Sequence, residues 1–273
     1  MASREHGMPA LWPYPNVVAH RCGGTLAPEN TLAAIRTGAA LGFDGIELDV
    51  MLAGDGVPVL MHDETLERTT SGRGRVTAHS AAQLARLDAG VWKGRRWRGE
   101  PVPSLAQAVR LARELGLWTN VEIKPAKGYE RRTGEAVAGA ARALWQGAPR
   151  MPVLSSFSPL ALGAAREAAP ELPRGLLLQR VPPHWCEMAR DLECVALHCS
   201  HRALTQALVR AMHEAGFAVL AWTVNDPRAA RKLLGWGVDC IVTDALKRIG
   251  PEFARPAPPT AKRGLLQRLR RSG

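Results

Sequence analysis

The sequence predicts an α/β protein folded as a (β/α)8 TIM barrel with a small insertion subdomain after the second strand. Three observations carry this. Short apolar, β-rich runs alternate with helical stretches along the chain, the pattern of a parallel sheet with helical crossovers. Eight such runs can be counted, which favours a closed barrel over an open doubly wound sheet. The length of 273 residues suits one barrel, for which ~250 residues is typical.

Strands are expected at 16–20, 45–50, 118–123, 152–157, 175–179, 194–198, 218–224 and 240–243. They read as continuous apolar runs, as they must where both faces of a sheet are covered. Helices are expected at 31–41, 104–115, 133–145, 158–168, 185–192, 205–215, 227–235 and 245–249. Ser104 is a cap residue for the second of these, and Gly42, Gly116, Gly216 and Gly237 stand where a left-handed C-cap belongs.

Residues 51–103 separate the second strand from the helix at 104–115. Structureless loops beyond ~15 residues are uncommon in compact domains, so this stretch is expected to fold as an inserted subdomain. It leaves the barrel at the active-site end, which would give it a lid or specificity role. The expected division is therefore a barrel over 12–253 including the 51–103 insertion, an N-terminal extension over 1–11, and a basic, flexible tail over 254–273.

Hydrophobic residues make up 46% and charged residues 22%, a globular balance that excludes disorder throughout. The five cysteines include no CxxC pair, which points to reduced thiols in a reducing compartment. The N-terminus lacks the apolar core of a signal peptide, and no apolar run reaches the ~18 residues of a membrane span. A soluble, cytoplasmic protein is expected. The net charge is +11, and Arg255, Lys262, Arg263, Arg268, Arg270 and Arg271 of the tail supply six of it without one acid. Such a tail can attract nucleic acid or anionic lipid. The expectation is a solvated terminus with no nucleic-acid partner, membrane contact being the less favoured alternative.

In a parallel barrel the C-terminal strand ends share one mouth. His20-Arg21 end the first strand, Glu47-Leu48-Asp49 the second and Glu122-Ile123-Lys124 the third, while Trp222 lies on the seventh. Buried strands do not carry three carboxylates, a lysine and a histidine without compensation. Glu47 and Asp49, two residues apart, share a face, and Glu122 approaches from the neighbouring strand. A cation relieves their repulsion, and all-oxygen ligands favour Mg²⁺, Ca²⁺ or Mn²⁺ over zinc. Salt bridges to Arg21 and Lys124 are the simpler alternative for any one acid, though a poorer one for all three. His20 and His62 suit proton transfer near neutrality. His62 follows the apolar run 57–61, just past the second strand. His184, His198, His201 and His213 are read as structural. With a metal, Arg21 and Lys124 would complete a pocket for a phosphate monoanion and stabilise charge building on phosphorus.

These residues match a known family. Trp12-Pro13-Tyr14-Pro15, Val18-Ala19-His20-Arg21, Ala27-Pro28-Glu29-Asn30-Thr31, Glu47-Leu48-Asp49, His62-Asp63, Glu122-Ile123-Lys124-Pro125, Ser155-Ser156-Phe157, Trp222-Thr223-Val224-Asn225 and Val242-Thr243-Asp244 follow in order. This set resembles the glycerophosphodiester phosphodiesterases, most nearly the cytoplasmic bacterial type, from about Trp12 to Phe253. The resemblance implies a barrel with a small insertion and metal-dependent hydrolysis of glycerophosphodiesters to an alcohol and sn-glycerol 3-phosphate. It further implies Glu47, Asp49 and Glu122 as ligands of one divalent cation (Mg²⁺ or Ca²⁺), and His20 and His62 as general base and general acid. Arg21 and Lys124 would contact phosphate, and Trp222 would line the glycerol pocket. One departure stands out: the family has glycine after His-Arg, and this chain has Cys22. If that backbone needs a positive φ, a non-glycine residue there costs of order 1 kcal/mol or more.

Two rivals remain at this level. One is a barrel enzyme acting on lysophospholipids with the tail on the membrane. The other is a non-catalytic binding protein with Cys22 as a mark of decay, against which stand both histidines and all three acids.

Overall fold

The computed structural model describes residues 12–254. The expected N-terminal extension, and every basic residue of the tail, lie outside the described residues. Nine strands form the sheet: β1 (Val17–Ala19), β2 (Gly45–Leu52), β3 (Pro58–Leu60), β4 (Trp118–Ile123), β5 (Val153–Ser156), β6 (Arg174–Leu178), β7 (Ala196–Ser200), β8 (Ala218–Trp222) and β9 (Cys240–Thr243). All but β3 are parallel and pair in sequence order. β1 then pairs with both β2 (Ala19↔Ile46) and β9 (Val18↔Val242), which closes the ring. The predicted (β/α)8 barrel is the observed one. β3 lies outside the ring, antiparallel to the C-terminal half of β2 (Val50↔Leu60).

The helices are α1 (Leu32–Ala40), α2 (Ala81–Leu84), α3 (Leu105–Glu114), α4 (Glu130–Leu144), α5 (Pro159–Ala168), α6 (Trp185–Asp191), α7 (Gln206–Glu214) and α8 (Pro227–Gly235). Their starts are written in side chains. Thr31, Ser158, Thr205 and Asp226 each accept a hydrogen bond from a first-turn backbone N–H, and Ser104 and Gln107 form a reciprocal capping box. Each such cap is worth about 1 kcal/mol. The four glycines expected as C-caps all take positive φ.

Two expectations need correction. Residues 245–249 form a single hydrogen-bonded turn, Ile249 N–H to Ala245 C=O at 2.9 Å, rather than a helix; Gly250 and Pro251 follow at once and stop propagation. The strand placed at 194–198 is instead Ala196–Ser200, because Glu193 turns through φ 50° to end the α6 segment. His198 therefore sits mid-strand.

Alternate residues of each strand divide between two apolar layers. Outward-facing Ile46, Leu48 and Val50 pack with helix residues such as Ile35, Val109 and Leu162. Inside the ring, Val18, Trp118, Val153, Leu220 and Val242 form the lower core with Trp12. Trp12 and Tyr14 plug the barrel at the N-terminal strand ends: Tyr14 stacks on Trp118 at 4.6 Å and Trp12 meets it edge-on at 5.5 Å. The opposite end is left for polar side chains.

Residues 51–103 carry β3, α2 and three 3₁₀ turns. They gather their own buried cluster, which includes Val59, Met61, Leu66, Leu84 and Val102. Full burial of such side chains contributes roughly 1.5–3 kcal/mol each. Asp88 ties the segment's far end together by accepting from the backbone amides of Gly90, Val91 and Gly99. Among the described residues no helix is long and apolar enough to cross a membrane.

Candidate active site

A cavity opens at the C-terminal strand ends, and His20, Arg21, Glu47, Asp49, His62, Glu122, Lys124 and Trp222 all line it. Every site residue expected from the sequence is thus brought to one place. The β2–β4 register sets Asp49 beside Glu122 and Glu47 beside Asn120, and one oxygen from each of Glu47, Asp49 and Glu122 lies within 4.8 Å of the others. The three acids are 3%, 1% and 9% exposed, so their mutual repulsion is little screened. Burial, then the charge on Asp49, pushes the Glu47 and Glu122 carboxyls well above the usual carboxylate range. Asp49 is also opposed by burial, but His62, Arg21, Lys124 and the Asn30 amide hold it below its ordinary value.

The salt bridges weighed as the alternative form at Glu122 and Asp49 but do not account for all three acids. Lys124 Nζ lies 3.2 Å from Glu122 Oε1, and Arg21 Nε 3.6 Å from Asp49 Oδ2. Asn30 brackets Asp49, donating to Oδ2 at 2.8 Å and accepting from its backbone N–H at 3.0 Å. Glu47 accepts the Arg21 amide on Oε2 at 2.8 Å, whereas its Oε1 is buried without a hydrogen-bond partner. An orphaned buried carboxylate oxygen among three convergent acids fits a hard divalent cation. The donor set is all oxygen, as Mg²⁺, Ca²⁺ and Mn²⁺ prefer.

Both histidines are oriented the same way. His20 Nδ1 is 2.6 Å from Asp244 Oδ1, and Asn225 donates to the other Asp244 oxygen at 3.0 Å. His62 Nδ1 is 2.6 Å from Asp63 Oδ1. A carboxylate on Nδ1 fixes the proton there and leaves Nε2 for the pocket. Accordingly, His20 Nε2 faces Glu47 Oε2 at 3.8 Å, and His62 Nε2 faces Lys124 Nζ at 3.3 Å. Burial opposes a charge on His20, but the Asp244 bond and the Glu47 charge outweigh it and lift its pKa to about 9. For His62, burial prevails and the pKa falls below the ordinary value.

An apolar wall completes the mouth. Phe157 meets Trp222 edge-on at 5.3 Å, and Trp222 Nε1 donates to the His198 carbonyl at 2.9 Å. His198, read from sequence as structural, also lines the cavity; it is buried, and burial drops its pKa to about 3.

The loop after β1 is strained as Cys22 implied. Arg21 and Cys22 take φ 47° and 71°, left-handed conformations that cost non-glycine residues roughly 1–2 kcal/mol each. The strain is held by Cys22 N–H to the Glu47 carbonyl at 2.8 Å and Gly24 N–H to the His20 carbonyl at 2.9 Å. Burial pushes the Cys22 thiol well above its usual pKa, so it is an inert filler rather than an activated thiol.

Several participants were not singled out from the sequence. Asp244, Asn30 and Glu29 lie inside motifs that were noticed, but nothing in the spacing assigns them work. Arg68 lies in a charged, glycine-rich stretch of the insertion and gave no signal at all. Its guanidinium reaches both Glu29 oxygens, at 2.9 and 2.8 Å, and Asp63 Oδ2. Glu29 Oε1 in turn accepts from Arg21 Nη1 at 2.7 Å.

Comparison with known proteins agrees with this geometry. Residues 20–248 match the Glycerophosphoryl diester phosphodiesterase family. A glycerophosphodiester phosphodiesterase of Caldanaerobacter subterraneus subsp. tengcongensis is 34% identical over 232 residues, covering 84% of this chain and 93% of that protein. One from Bacillus subtilis is 28% identical over 243 residues, covering 83% and 82%. Among solved structures, a phosphodiesterase of Oleispira antarctica in complex with the product sn-glycerol-3-phosphate superposes with a TM-score of 0.82 at 36% identity, covering 86% of this chain and 95% of that one. The chain belongs to the glycerophosphoryl diester phosphodiesterase family.

Proposed function

We propose that the protein hydrolyses glycerophosphodiesters to an alcohol and sn-glycerol 3-phosphate, using one divalent cation and a histidine acid–base pair. One observation carries the reading: two histidines, each anchored through Nδ1 to an aspartate, present Nε2 to a pocket floored by three carboxylates. The product bound to the Oleispira antarctica relative supports the choice of substrate. The same reading treats residues 12–253 as one catalytic unit that includes the 51–103 insertion.

Glu47, Asp49 and Glu122 would hold the cation, which supplies Lewis-acid stabilisation of phosphoryl charge when bound. Arg21 and Lys124 grip the phosphate oxygens. His20 takes a proton from the nucleophile and His62 gives one to the leaving alcohol. Both assignments depend on loading. The Glu47 charge that lifts His20 is offset once Glu47 ligates a cation, which returns His20 toward a basic, neutral form. A phosphate monoanion beside His62 counters the burial that lowers it. Trp222 and Phe157 cover the apolar side of the glycerol backbone. The nucleophile is water or the glycerol 2-hydroxyl, and trapping a cyclic glycerol phosphate distinguishes them.

The test is release of glycerol 3-phosphate from glycerophosphocholine and glycerophosphoethanolamine, with and without EDTA. EDTA-sensitive release that is lost in His62→Ala supports the reading. Unimpaired turnover by His62→Ala ends the acid–base assignment.

A further inference from the structure

The insertion holds one side chain that touches both halves of the site without reaching the cavity. Arg68 donates through Nη1 and Nη2 to the two oxygens of Glu29 and through Nε to Asp63. Glu29 then meets Arg21 Nη1 at 2.7 Å, and Asp63 meets His62 Nδ1 at 2.6 Å. The result is an unbroken chain of contacts, Arg21–Glu29–Arg68–Asp63–His62, whose first four members alternate in charge. Glu29 belongs to the loop that follows β1, whereas Arg68 and Asp63 belong to residues 51–103. The two acids are held ionised. Burial opposes this for Glu29, but the bonds from Arg68 and the charge of Arg21 win. Asp63 is lowered to about 2, first by its Arg68 bond.

We propose that Arg68 is a positioning residue that sets two groups at once: Arg21 through Glu29, and His62 through Asp63. The inference rests on the reading above of Arg21 as a phosphate contact and His62 as an acid, and gives the insertion a specific task in that chemistry. A planar guanidinium suits it, because three donors in a rigid fork satisfy two carboxylates whose separation then fixes both neighbours. A lysine carries the charge without the fork. Removing Arg68 leaves Glu29 with only its Arg21 bond and Asp63 with only its His62 bond, and each acid is then free to swing its partner out of register.

The two arms predict separable kinetics. Glu29→Gln loosens Arg21, so KM and the inhibition constant of sn-glycerol 3-phosphate rise while kcat changes little. Asp63→Asn loosens His62, so kcat falls while product affinity is kept. Arg68→Ala shows both effects, each of about 10- to 100-fold, the range for residues that orient others at a site. Arg68→Lys recovers part of the loss. In the Glu29→Gln/Asp63→Asn background, Arg68→Ala adds less than twofold.

Arg68 is partly exposed, its side chain being 44% accessible, so the folded population of Arg68→Ala can be verified by circular dichroism before assay. A merely structural role predicts a lowered Tm with unchanged kcat and KM at temperatures where the variant is folded, and that result overturns the proposal. So does a loss that simply multiplies with those of Glu29→Gln and Asp63→Asn. Failure of the wild-type protein to release glycerol 3-phosphate would instead remove the functional reading itself, and this inference with it.

Discussion

His20 Nδ1 and Asp244 Oδ1 stand 2.6 Å apart, joining the end of β1 to the residue after β9 across the seam of the barrel. Asp244→Asn keeps the shape and removes the charge that fixes the ring, and a loss of about 10- to 100-fold in kcat is expected. Stability should respond too. A histidine lifted from about 6.5 to about 9 contributes fully below its unfolded value, and that contribution disappears as pH rises through the folded one. Metal-stripped protein should therefore lose Tm across that alkaline window, and Asp244→Asn should flatten the decline. Parallel Tm curves for the two proteins would refute the linkage.

Metal binding should depend on pH in the opposite sense. Glu47 and Glu122 are lifted above the usual carboxylate range, and a protonated carboxyl must lose its proton to become a ligand. Affinity for Mg²⁺, Ca²⁺ or Mn²⁺ is expected to weaken as pH falls, starting well above the ~4 of an ordinary carboxylate, with proton release measurable by calorimetry in two buffers. At one hundred times Kd the cation should stabilise the fold by about 2.7 kcal/mol. Glu47→Gln should abolish that Tm rise, and an undiminished rise would move the cation elsewhere.

With saturating metal, kcat, which reports the substrate-loaded site, should follow a bell in pH. The acidic limb reports the base, assigned to His20, and the basic limb the acid, assigned to His62. His62→Gln should remove the basic limb together with about 10²–10⁴-fold of the rate. Its loss should be smaller with a nitrophenyl leaving group, which departs without a proton. Equal losses for both leaving groups would reverse or cancel the assignment.

Cys22 offers a test of strain against burial. Cys22→Gly relieves about 1–2 kcal/mol of left-handed backbone but gives up a buried side chain and raises unfolded-chain entropy, together of similar size. Little change in Tm and full activity are expected. Cys22→Val places a β-branched residue at φ 71°, a conformation it scarcely tolerates, and Tm should fall by several degrees. Among the five thiols only Cys186 is not buried, so an aromatic disulfide reagent should titrate about one thiol in the native protein and all five in denaturant.

The barrel was legible because apolar runs and caps are local signals. Strands at 118–123 and 240–243 and the helix at 227–235 stand where they were expected. The convergence of Glu47, Asp49, Glu122, His20 and His62 was legible as well, since one topology brings every strand end to the same mouth. What was not legible depends on long side chains reaching across loops. Arg68 is indistinguishable in sequence from any exposed arginine until Glu29 and Asp63 are seen on either side. Asp244 was the last residue of a motif, without a task, until His20 was found beside it. The 245–249 segment misled because its first turn is helical, and only Gly250-Pro251 end it.

The seam between β1 and β9 has a bearing on synthesis. The first strand of the barrel pairs with its last, and the contact between His20 and Asp244 spans 224 positions of sequence. Such a contact order slows closure. A nascent chain halted short of residue 240 would present two bare strand edges, a template for aggregation, and could assemble every carboxylate of the pocket while still lacking the partner that aims its first histidine.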